Sequence, residues 1–222
     1  MRRREILFAS VSSTLAISGC VDAPWSDGDD DTNGVPGCTQ DAEWTDTIAA
    51  GPADPDTGSI AGRRNCSTAT RPEPTGEVCE TFVREVENGT NRTVHSVGVR
   101  PYPDPPSTFE TETLRSFVSA YERAYTQNAA VAEHGANVVE FSFSTIETRT
   151  IDRFDTVTGI VIAFGFGYRD ERGGYTDSFG NVAVYGVDET GVVRRPEPYG
   201  PGEIDPDEVG DPVENGHLLE CF

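Results

Sequence analysis

Asp29, Asp31 and Asn33 alternate along the chain and run into Gly34. Oxygens at alternate positions, closed by a glycine turn, are how a calcium loop opens. The twelfth position of such a loop should be Glu. Here it is Gln40, and Pro36 opposes a flanking helix. The stretch therefore reads first as a solvated linker, with calcium as the one cofactor the residues leave open. A second set, Tyr121, Glu122, Tyr125 and Asn128, falls at helical spacing and would line the mouth of a cavity if it faced one. The plainer reading packs the tyrosines in the core and leaves Glu122 at the surface. No catalytic residue is assigned: there is no Gly-x-Ser-x-Gly elbow, Walker loop or His-Glu-x-x-His. A blue-copper centre needs His and Cys ligands and usually an axial Met, yet the only Met is Met1. Acidic pairs such as Asp170 and Glu171 read as solvated face in so acidic a chain.

The cysteines carry the clearest covalent chemistry. The apolar run Ile6–Gly19 would span about 21 Å as a helix, short of the roughly 30 Å hydrocarbon core. A basic start, this short run and a small-residue end read as an export signal over residues 1–19. Arg3-Arg4-Glu5-Ile6-Leu7 resembles the twin-arginine signal, and Ile17-Ser18-Gly19-Cys20 resembles the prokaryotic lipobox. The lipobox resemblance implies cleavage before Cys20, whose thiol takes a diacylglyceryl group and anchors the chain to the membrane. Cys38, Cys66, Cys79 and Cys221 remain, an even number that predicts two disulfides with three pairings open. The expected pairing is Cys79–Cys221 with Cys38–Cys66, the first closing a long loop worth over ~4 kcal/mol in the chain-entropy account. No Cys-x-x-Cys occurs and His95, His134 and His217 are scattered, which argues against structural zinc. His134 reads as a helix-end residue. Asn65, Asn88 and Asn91 begin Asn-x-Ser/Thr sequons and are glycosylation candidates.

Composition names the medium. All 17 basic residues are Arg, against 38 Asp and Glu, and Lys is absent. Losing Met1–Gly19 removes Arg2, Arg3, Arg4 and Glu5, leaving 14 Arg against 37 acidic residues, a net charge of −23. Self-repulsion of that size strains a compact state in dilute buffer. In molar salt the Debye length falls to about 3 Å and the strain is screened. This Lys-free, acidic composition resembles proteins of extremely halophilic archaea. With no basic patch, nucleic acid is not expected as a partner.

The elements follow from pattern. Residues 20–37 form an acidic linker, 38–78 an irregular disulfide-held arm, 79–195 the folded domain, and 196–222 a Pro-rich tail without a core pattern, pinned by Cys221. Two strand-like runs, near 80–87 and 92–100, flank Asn88-Gly89, a hairpin signal. Leu114, Phe117, Val118, Tyr121, Ala124 and Tyr125 form one stripe of a helix over 108–134, with a capping box at Ser107 and Glu110 and Gly135 as its stop. Strands follow over 137–150, 156–168, 175–187 and 192–195. On one face the first of these carries Val139, Phe141 and Phe143, and the second Ile160, Ile162, Phe164, Phe166 and Tyr168. The second strand has Gly165 and Gly167 on its other face, where the sheet would bend or be closely approached.

The expected fold is α+β: one long helix packed on a curved antiparallel β-meander, with an irregular N-terminal arm and a Pro-rich tail. The order of elements is similar to cystatin-like and NTF2-like folds. The helix, reading Phe117-Val118-Ser119-Ala120-Tyr121-Glu122-Arg123-Ala124-Tyr125-Thr126-Gln127-Asn128, resembles a segment of uncharacterised haloarchaeal lipoproteins. These resemblances imply a module anchored through Cys20 on the extracellular face of the cytoplasmic membrane. It would bind a protein, glycan or small ligand without catalysis. A small enzyme with an NTF2-like cavity, or a calcium-dependent surface protein, is the alternative. An enzyme of that type needs polar side chains inside the cone; a binding module needs a packed interior and an exposed working surface.

Overall fold

The computed structural model describes residues 58–74, 80–85, 89–154, 156–197 and 209–222. The elements are α1 (Ile60–Arg63), β1 (Thr81–Glu85), β2 (Asn91–His95), α2 (Thr111–His134), β3 (Val138–Phe154), β4 (Val157–Asp170), β5 (Tyr175–Asp188), β6 (Gly191–Glu197), α3 (Pro212–Asn215) and β7 (His217–Cys221). The molecule is mixed α+β. β1 and β2 pair as an antiparallel hairpin, from Thr81 opposite His95 to Glu85 opposite Asn91. β3 to β7 form a second sheet in chain order, every neighbour antiparallel.

The second hairpin strand ends at His95, short of the expected 100. Beyond it the backbone finds side-chain partners instead of a ladder. The Gln127 amide donates to the Gly98 carbonyl at 2.9 Å, and Asn128 both accepts from the Arg100 amide (2.8 Å) and donates to its carbonyl (2.9 Å). The helix begins at Thr111 with Glu110 as its N-cap and no side-chain cap bond. The Ser107–Glu110 capping box is thus not formed, because Ser107 lies too far ahead of the first helical amides to reach them. Gly135 ends the helix at φ 62, a left-handed backbone that glycine adopts without a Cβ penalty.

Both faces of the five-stranded sheet are covered. On one, Leu114, Phe117, Val118 and Tyr121 of α2 share an apolar cluster with Ile160, Ile162, Tyr185, Val192 and Leu219. Leu114 alone, fully buried, contributes about 1.5–3 kcal/mol. On the other, Ile60 joins Val161, Val184, Val193, Val213 and Leu218. Leu218 and Leu219 therefore serve opposite clusters, as neighbours on a strand must. The tail, read from sequence as lacking a core pattern, supplies α3, an added strand and both leucines. The arm, expected to be held by disulfide rather than by a core, places Ile60 at zero exposure. The Ile60 and Ala61 amides donate to Asp188 Oδ2 (2.7 Å) and Thr190 Oγ1 (2.9 Å), which fixes the arm to the β5–β6 turn.

Among the described residues, a disulfide joins Cys66 to Cys221, with their Cα atoms 5.7 Å apart. This overturns both expected pairs, since each used one of these two cysteines. The cause is local: the Thr70 amide donates to the Leu218 carbonyl at 2.9 Å and lays the arm along β7, opposite Cys221. Gly165 and Gly167 give their room to side chains crossing from β5. A Cβ on Gly165 would sit 3.0 Å from Phe179, and one on Gly167 would overlap the Tyr175 hydroxyl.

Candidate functional site

Helix α2 carries a polar seam on its buried side. Glu122, expected at the surface, is fully buried. Arg194 of β6 grips it with two bonds, Nε to Oε2 and Nη2 to Oε1, both 2.8 Å. Tyr185, opposite Arg194 in the β5–β6 register, donates to Oε2 at 2.5 Å, and Thr126 donates to Oε1 at 3.1 Å. The Arg194 guanidinium also lies 4.3 Å from the Tyr125 ring. Burial alone would lower the Arg194 pKa, but the Glu122 charge and its hydrogen bonds outweigh that and raise it. Burial, then the Glu122 charge, pushes the Tyr185 phenol well up. A carboxylate goes inside here because a planar, bidentate cation meets it. The expectation failed because that cation lies 72 residues away in sequence.

A second cluster sits beside it. Arg71 pairs with Glu220 and, through Nε at 2.8 Å, with Glu73. Tyr121 donates to Glu220 at 3.2 Å, and Arg71 covers the Tyr102 ring at 4.3 Å. Burial raises the Tyr121 and Tyr102 phenols. It also raises the Glu220 carboxyl, which the Arg71 charge only partly offsets. Of the four residues read as a cavity mouth, Tyr121, Glu122 and Asn128 are thus buried in this seam and Tyr125 is half-buried against it. None of them lines the open concavity described next.

That concavity lies between the 100–104 segment, the outer side of α2 and β3, with a volume of about 1010 Å³. Its charged lining is Arg100, Arg115, Arg123, Asp104 and Glu112. Asn128 and Gln127 set Arg100 in place: Asn128 through the Arg100 backbone, and Gln127 by accepting from its Nε at 3.1 Å. Arg115 Nε donates to Thr150 Oγ1 at 3.2 Å. Among the described residues, none of these three arginines has an ion-pair partner, whereas Arg63, Arg71, Arg149, Arg169, Arg172, Arg194 and Arg195 all do. Burial and then the Arg123 charge lower the Arg100 pKa, so the two guanidiniums feel one another across the groove. The sequence held a signal for this face: Glu112, Arg115, Ser116, Ser119 and Arg123 recur at helical spacing on the polar side of the stripe.

His134 is the last residue of α2, as expected, with the Tyr168 hydroxyl 2.7 Å from its Nε2. Asn65 and Asn91 are exposed. Arg3, Arg4, Cys20, Asp29, Asp31, Asn33, Cys38, Cys79 and Asn88 lie outside the described residues. Among the described residues, no group of His, Cys, Asp and Glu is placed to hold a metal, and no helix is long and apolar enough to cross a membrane. No family model, no curated protein and no solved structure matches this chain.

Proposed function

We propose that the chain is a lipoprotein of a halophilic archaeon, exported by the twin-arginine route and anchored through Cys20. It works as a non-catalytic binding module, its sheet curved around α2 in the manner of cystatin-like and NTF2-like folds. One observation supports the binding-module part of this reading: among the described residues the polar groups buried between helix and sheet satisfy one another, while an open concavity runs along the exposed flank of α2 beside β3. Both Glu122 oxygens are engaged by Arg194, Tyr185 and Thr126, so this buried carboxylate is not free to move a proton. Arginines without ion-pair partners that line an open groove in a chain of net charge −21 suit recognition rather than packing.

Detergent phase partitioning with intact mass tests the anchor, with Cys20→Ser as control. The wild type is expected in the detergent phase, carrying a diacylglyceryl mass that the variant lacks. A wild type that stays aqueous without added mass refutes the anchor.

A further inference from the structure

The groove has the chemistry of a ligand site, and its lining narrows the ligand. Arg100 and Arg115 use Nε internally, on Gln127 and Thr150, which orients each guanidinium and leaves its other nitrogens for a guest. Arg123 is exposed at the rim. Guanidiniums that share a groove and have no ion-pair partner recognise an anionic group by paired hydrogen bonds. The same groove holds Asp104 and Glu112, whose oxygens take hydroxyl donors. A simple polyanion would be repelled at contact by those two carboxylates. A ligand bearing both an anionic group and several hydroxyls uses both halves of the lining. The volume of about 1010 Å³ matches the upper range of small-ligand sites.

We propose that this groove binds an acidic saccharide, its carboxylate or sulfate held by Arg100, Arg115 and Arg123 and its ring hydroxyls by Asp104 and Glu112. The proposal rests on the reading of the chain as a binding module and names its ligand class. In molar salt the long-range repulsion of the acidic surface is screened within about 3 Å. Direct guanidinium contacts survive that screening, so binding belongs to the salty medium the composition implies.

The test is calorimetric titration of the full chain in detergent and molar KCl. The probes are trigalacturonate, a sulfated trisaccharide, neutral maltotriose and inorganic sulfate. At least one acidic sugar is expected to bind, about ten-fold or more tightly than maltotriose or sulfate. Which of the two binds assigns the anion as carboxylate or sulfate. Arg123→Gln, at an exposed position that does not threaten folding, is expected to weaken binding about ten-fold, with an unchanged melting temperature. Arg92→Gln, on exposed β2, is expected to leave it intact. Three outcomes overturn the proposal: neither acidic sugar binds, sulfate binds as tightly as the sugars, or Arg123→Gln binds like the wild type. If the sugars fail while the chain still partitions with detergent, the ligand class is wrong and the anchored module stands. An aqueous, lipid-free chain removes the anchor whatever the groove binds.

Discussion

Replacing Glu122 by Gln keeps the side chain's shape and removes its charge. Arg194, whose side chain is 11% exposed, would then hold a positive charge with no counter-charge inside the helix–sheet interface. Breaking a buried pair by removing one partner costs about 3–5 kcal/mol, and the amide keeps enough hydrogen bonding to place this change near the lower end. For a chain of this size, about 3 kcal/mol lowers the melting temperature by roughly 6–12 °C. The loss should persist in molar salt, because a buried pair is screened far less than a surface one. Removing the whole network reverses the logic. In Glu122→Leu, Arg194→Met, Tyr185→Phe the two charges and the phenol hydroxyl leave together, and Thr126 loses its acceptor equally in the triple and the single variant, so the triple variant should be at least about 1 kcal/mol more stable than Glu122→Leu alone. Thermal unfolding followed by far-ultraviolet circular dichroism, at several KCl concentrations, measures both. A Glu122→Gln variant within about 1 kcal/mol of wild type, or a triple variant no better than the single, would refute the account of the seam.

Non-reducing peptide mapping should recover Cys66 joined to Cys221, and Cys66→Ser should cost up to about 5 kcal/mol for the 155-residue separation it releases. Glu220 has a folded pKa raised above its ordinary 4.5, so its contribution is complete below that pH and is lost as pH rises through the raised value. Stability of wild type relative to Glu220→Gln should therefore fall as pH climbs from 4.5; a difference that rises instead would contradict the burial of this carboxyl. The phenols of Tyr102, Tyr121 and Tyr185 are raised too, so their share of stability is present below about pH 10 and lost above it. Ultraviolet titration should show these three ionising only as the chain unfolds.

The long helix and the strands over 138–197 were legible because their apolar residues repeat at 3.6 or 2 and are bounded by Gly, Pro or Asn. His217–Cys221 was not, since a five-residue strand buried on both faces has no alternation to read, and Pro206 and Pro212 beside it suggested a loose tail. The arm was misjudged for a related reason: one isoleucine, Ile60, docks it, and a single residue has no period. Glu122 was missed because its partner, Arg194, comes from a distant strand, and pairing across the fold leaves no local trace. The disulfide pairing could not follow from spacing, because it is set by how Thr70 lies against Leu218. The groove arginines were available on the polar side of the helix stripe, but their lack of counter-charges becomes visible only when every neighbour is placed.

The Cys66–Cys221 bond also decides what damage does to this molecule. It closes nearly the whole described fold into one covalent ring, from the arm to the penultimate residue. A protease that cuts any single peptide bond inside that ring opens a strand or a loop but frees no fragment. Two cuts, or one cut and a reductant, are needed before a piece departs. The folded domain would keep its parts together after the first injury, and a nicked chain would run as one band until its disulfide is reduced.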